Sequence, residues 1–230
     1  MFIANEESPV CIQASILKDT SPVFETFLKY GHLGKDGPDV LKFPEDDLDV
    51  WQALTFWMFN KTIPTDKELS SQVDCESIHF VRCWCLGEKY QIGAFQDAAM
   101  LELLHTIDKA QETAIWLEAI KEAFEESPDG SVLRKLMAEV AVDMLEVSRE
   151  ISDKDLEQFD GIVGFARALL HAHRDFRDER SWQIVRDFGG AACNQTSPFW
   201  PYLRRWKRFM LYGGPEQHWI YELQAKDKVR

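Results

Sequence analysis

Residues 75–90 read CESIHFVRCWCLGEKY, a stretch that puts apolar side chains (Ile78, Phe80, Val81, Cys83, Trp84, Cys85 and Leu86) on nearly every side of a helix. A helix that is apolar all round has no water-facing side and belongs at the middle of a domain. The chain on either side must then cover it. Downstream, helical spacing recurs over roughly 93–107, over 112–126 with Trp116, Ile120 and Phe124 in one row, and over 131–147 with Leu133, Met137, Ala141 and Leu145. It recurs again over 153–172, with Leu156, Phe159, Val163, Ala166 and Leu170. Everything from Cys75 to His173 reads as a helical array.

Upstream the pattern is mixed. Met1–Ala4 and Val10–Gln13 are short apolar runs about Asn5-Glu6-Glu7-Ser8-Pro9, which predicts a hairpin. Asp19-Thr20-Ser21-Pro22 supplies a capping side chain with proline just inside a helix that carries Phe24, Phe27 and Leu28, and the segment GHLGKDGP (31–38) ends it. Val40–Phe43 is a strand candidate, and Pro44-Glu45-Asp46-Asp47 places acidic groups at the positive end of the helix LDVWQALTFWMFN (48–60). This order predicts an α+β fold, a small sheet with flanking helices followed by an all-helical extension. The expected divisions are 1–110, a helical extension over 111–175, and a basic, aromatic segment over 176–230.

The chain has 230 residues, 45% of them hydrophobic, enough to fill a core without external staples. Its opening has no basic stretch followed by an apolar run of signal length, and nowhere do about 18 apolar residues run uninterrupted. A soluble, cytoplasmic or nuclear protein is expected. Cys11, Cys75, Cys83, Cys85 and Cys193 are odd in number and irregularly spaced, which suits reduced thiols, and the sequon at Asn194-Gln195-Thr196 is then expected to stay unmodified. A net charge of -13 disfavours nucleic-acid binding by the bulk of the chain. The charge is uneven, since residues 181–230 carry eight basic against four acidic side chains.

Cys75, His79, Cys83 and Cys85 invite a metal reading. A rise of about 1.5 Å per residue puts Cys75 and Cys83 roughly 12 Å apart, too far to share one ion, so buried thiols are the expected state. His171 and His173 point to different sides of a helix. No nucleophile elbow, phosphate-cradling glycine loop, dinucleotide fingerprint or His-Glu-x-x-His pair occurs, and the acidic runs sit beside turns or helix ends. No cofactor and no enzyme activity are expected; an unrecognised hydrolase or transferase on a helical fold ranks last. Arg204, Arg205, Lys207 and Arg208 surround Trp206 and form the one cluster with nucleic-acid character, which a transcription-linked regulator could use. The competing reading is an amphipathic element packed on the body, or docked on the acidic first 180 residues.

Several spaced blocks share an order with a known family. Ile12-Gln13, Leu17, Ser21-Pro22-Val23-Phe24, Phe43-Pro44-Glu45-Asp46-Asp47, Trp57-Met58-Phe59 and Gly87-Glu88-Lys89-Tyr90-Gln91-Ile92 together resemble a fungal-type BTB/POZ domain over about residues 2–107. Gln13 stands where the family has histidine and Phe59 where it has the tyrosine of Trp-x-Tyr. The resemblance implies a noncatalytic interaction module that homodimerises, with Phe2, Ile3, Leu17, Val23 and Phe24 as dimer contacts. It also implies adaptor work in a cullin-based ubiquitin ligase complex, holding a substrate protein and facing the cullin scaffold with Lys42, Phe43, Glu45, Asp46, Trp51 and Leu54. For each of these residues ordinary core packing competes.

Overall fold

The computed structural model describes residues 2–3, 10–30, 41–64, 76–109, 114–148, 152–187 and 202–211. Two strands, β1 (Phe2–Ile3) and β2 (Lys42–Phe43), pair in parallel, Phe2 with Lys42 and Ile3 with Phe43. The helices are α1 (Ala14–Thr20), α2 (Pro22–Tyr30), α3 (Leu48–Asn60), α4 (Glu76–Lys89), α5 (Gly93–Lys109), α6 (Ala114–Glu126), α7 (Val132–Asp143), α8 (Asp153–Leu156) and α9 (Phe165–Asp187). A π turn (Met144–Ser148) prolongs α7, a short 3-10 turn (Glu157–Phe159) follows α8, and a 3-10 helix spans Tyr202–Arg208. Helix α4 lies at the centre, packed on α3, α5 and α6, while α7 packs on α6 and α9. One apolar core runs from Ile3 to Phe209.

Local chemistry sets the helix ends. Asp47 caps α3 by accepting from the amides of Asp49 (2.8 Å) and Val50 (3.3 Å), and Ser131 caps α7 through the Arg134 amide; each such cap contributes about 1 kcal/mol. Ser21 Oγ accepts from the Val23 and Phe24 amides at the start of α2 and donates to the Tyr90 carbonyl at 2.5 Å, tying that start to the end of α4. The end of α4 is a Schellman turn. The Ile92 amide reaches the Gly87 carbonyl, the Gln91 amide reaches the Glu88 carbonyl, and Gln91 takes a left-handed φ of 54°. Gly87 lets α5 close on α4, since a Cβ there would stand 2.6 Å from Gln96 Cγ.

The α+β expectation is corrected: the chain is mostly helical, and among the described residues the strand content is one ladder of two-residue strands. The expected hairpin does not form. Residues 10–13 are irregular and lead into α1, and β1 pairs instead with β2, beyond α1 and α2. With so short a ladder there is no sheet face to cover. The rings of Phe24, Phe43, Trp51 and Tyr90 pack on one another instead. The helix expected over 153–172 is broken at Gly161 and Gly164, whose φ values of 85° and 89° no helix accommodates, and the charged stretch after His171 continues α9. The division drawn at 175/176 therefore falls inside α9. Residues 31–38, 194–196 and 219–223, with Cys75 and Cys193, lie outside the described residues.

Candidate interaction surfaces

Residues from three of the blocks that carry the family resemblance, Phe24, Phe43 with Asp46, and Lys89 with Tyr90, are far apart in sequence and meet in one place. Asp46, 8% exposed, accepts from Trp51 Nε1 (2.8 Å) and the Tyr90 hydroxyl (2.5 Å) on Oδ2, and from Lys89 Nζ (2.6 Å) on Oδ1. Burial, and then the Asp46 carboxylate, push the Tyr90 hydroxyl well above its ordinary titration range. Around this carboxylate Phe24 stacks on Trp51 at 5.7 Å between ring centroids, and Phe43 lies 4.6 Å from Trp51. Five elements thus converge on one acidic side chain: the start of α2, β2, the turn after it, α3 and the end of α4. A charge buried this deep persists only where hydrogen bonds satisfy it, and here three donors do so.

Of the residues that the resemblance assigns to a dimer contact, Ile3, Leu17 and Phe24 are core residues of the single chain, at most 3% exposed. Val23 is half-buried, and the side chain of Phe2 lies outside the described residues. On α1, α2 and their lead-in, Ile12, Ile16 and Val23 are half-buried and pack against the core, and the exposed side chains include Cys11, Ala14, Lys18, Glu25 and Tyr30. On the cullin set, Lys42 and Glu45 are exposed, whereas Phe43, Asp46, Trp51 and Leu54 are buried.

The basic cluster is held in a groove between α5, α7 and α9. In a 3-10 helix residues three apart eclipse, so Tyr202, Arg205 and Arg208 form one row. Tyr202 donates from its amide to Asp108 (2.7 Å) and from its hydroxyl to Asp143 (2.6 Å). Arg205 spans Glu139 (3.2 Å) and Glu179 (3.0 Å), and Arg208 reaches the other Glu139 oxygen at 3.1 Å. The Leu211 amide donates to Asp97 (2.7 Å), and the Tyr202 and Phe209 rings are buried. Glu139 has no exposed side-chain surface. Burial raises its carboxyl to about 7, although Arg205 and Lys135 pull the other way. Lys207 is exposed and lies over Trp206, and the Arg204 side chain lies outside the described residues. Docking on the acidic body thus describes Arg205 and Arg208, whose charges are engaged within the chain.

A cleft of about 320 Å³ between α7 and α9 is lined by Asp129, Arg134, Lys135, Arg167 and His171 among others. Arg134 is fastened below it, donating to the carbonyls of Phe124 (2.6 Å), Ser127 (2.5 Å) and Val163 (2.8 Å), and so ties the end of α6 to the turn before α9. Arg167 holds the Asp129 carboxyl below the usual carboxylate range. These contacts are those of a fastening. His173 pairs with Glu146 at 2.9 Å, and His171 is exposed. Cys83 is buried 3.6 Å from His79, and among the described residues no three metal-binding side chains converge. Among the same residues, no helix is long and apolar enough to cross a membrane.

No family model, curated protein or solved structure matches this chain. Sequence reasoning overlooked the acidic groove because its five carboxylates come from three helices separated by up to 82 positions, Asp97 to Glu179. The opposed charge of the two parts of the chain was the available signal.

Proposed function

We propose that this chain is a noncatalytic protein-interaction module that pairs with a second copy of itself through the outer face of α1 and α2. The observation that carries the reading is that Ile12, Ile16 and Val23, on α1, α2 and their lead-in, keep part of their apolar surface exposed while packing against the core. Leu17 and Phe24 root the same two helices in the core, so the surface is rigid and its ordering costs little on association. The BTB/POZ resemblance lends further support, because Phe24, Phe43, Asp46, Lys89 and Tyr90 of its blocks meet in the Asp46 knot. The basic cluster favours this reading over nucleic-acid binding, since Arg205 and Arg208 are paired with Glu139 and Glu179.

Two differently tagged copies, co-expressed and purified through one tag, test the proposal. Wild-type copies are expected to co-purify, Ile16→Glu/Val23→Glu copies to separate, and Lys207→Glu copies to pair as wild type. Wild-type copies that purify singly, or a double variant that pairs undiminished, would overturn it.

A further inference from the structure

The segment 202–211 has the contacts of a bound peptide. Its row of Tyr202, Arg205 and Arg208 faces the groove, its first and last amides are received by Asp108 and Asp97, and Tyr202 and Phe209 are buried as anchors at its two ends. The receiving carboxylates (Asp97, Asp108, Glu139, Asp143 and Glu179) belong to α5, α7 and α9, and the segment meets them through two of its amides, the Tyr202 hydroxyl and two arginines. Recognition therefore requires an aromatic residue, arginines three and six positions on, and a second aromatic next to the last arginine.

We propose that the groove between α5, α7 and α9 is a docking site for a partner protein's segment with this aromatic–x–x–Arg–x–x–Arg–aromatic pattern, and that residues 202–211 are its displaceable internal occupant. Charge complementarity commits the site to a basic, aromatic peptide. Four of the five carboxylates are engaged through side-chain groups or terminal amides that any segment of that pattern supplies, and Glu139 and Glu179 each bind both arginines, which a single lysine cannot reproduce. Tethering gives the internal occupant an effective concentration on the order of millimolar, so an outside segment must bind better than the chain's own, or arrive after that segment has been weakened. The groove is thus closed by default and opened by competition. This proposal does not depend on pairing through α1 and α2.

The test uses the full-length protein and a fluorescein-labelled peptide with the chain's own sequence from Trp200 to Gly213. In Arg205→Glu/Arg208→Glu the internal segment is repelled and the groove is intact. Fluorescence anisotropy is expected to show saturable binding to this variant at least tenfold tighter than to wild type. Adding Glu179→Arg to the same chain, or exchanging both arginines of the peptide for glutamate, is expected to abolish it. Equal binding to wild type and variant, or no binding by a variant that still unfolds cooperatively, overturns the proposal. Should the double variant fail to fold, Arg208→Ala, a milder change at a partly exposed side chain, takes its place with the same expected order. If the double variant gains mass when mixed with wild type, the occupant is a second copy's segment, and the partner reading fails.

Discussion

Replacing Asp46 with alanine removes the one acceptor shared by Trp51 Nε1 and the Tyr90 hydroxyl. Both donors are buried, and a buried donor left without a partner costs about 1–3 kcal/mol. The third partner, Lys89, is half exposed and regains water, so its ion pair adds at most about 1 kcal/mol. The expected loss is about 4 kcal/mol, within the range of about 3–5 kcal/mol seen when one partner of a buried charged network is deleted. In a chain of this size about 1 kcal/mol shifts the melting temperature by about 2–4 °C, so Tm should fall by about 8–16 °C. Asp46→Asn keeps one carbonyl acceptor and should lose about half as much. Urea unfolding followed by tryptophan fluorescence measures both variants, with Trp51 reporting from the site itself. A loss below about 1 kcal/mol for Asp46→Ala would show that the knot is not what joins these elements.

Three further outcomes are expected. Gly87→Ala should destabilise the protein by about 1–3 kcal/mol in the same unfolding assay, because the added methyl meets Gln96 Cγ at 2.6 Å and the buried Gln96 side chain or α5 must shift; a gain in stability, as helix propensity alone would give, refutes the close approach. Burial pushes the Cys85 thiol up to about 12 and the Cys83 thiol well above its ordinary value, so timed alkylation read by mass spectrometry should modify exposed Cys11 first and reach those two only on unfolding. Glu139 titrates at about 7 in the folded chain, against about 4.3 for an unfolded glutamate. The folded state therefore holds the extra proton, and the stability this group contributes is full below the unfolded value and lost as pH rises through 7. Wild-type stability minus that of Glu139→Gln should fall between about pH 4.5 and 7, and a difference flat across that window contradicts the burial.

Where a segment's partners are its own neighbours, its structure could be read from sequence. LDVWQALTFWMFN is helical over the span its pattern indicates, and Asp47 and Ser21 act as caps, because capping is decided within four residues. The apolar-all-round stretch is the central helix, as its lack of a polar side requires. Val10–Gln13 failed as a strand because so short an apolar run carries no period, and residue 42 rather than residue 10 lies beside Phe2. The break at Gly161 and Gly164 was hidden under apolar spacing that continues across it. In the candidate contact sets, Ile3, Leu17, Phe24, Trp51 and Leu54 turned inward. A sequence does not tell which face of a short helix the core will take.

Self-association through α1 and α2 is the central claim, and the solution mass by light scattering across a concentration series tests it most directly. The account predicts that the intact chain approaches twice the single-chain mass as concentration rises, while Ile16→Glu/Val23→Glu stays at the single-chain mass throughout. A single-chain mass for the intact protein at every concentration, or an identical curve for the variant, would contradict it.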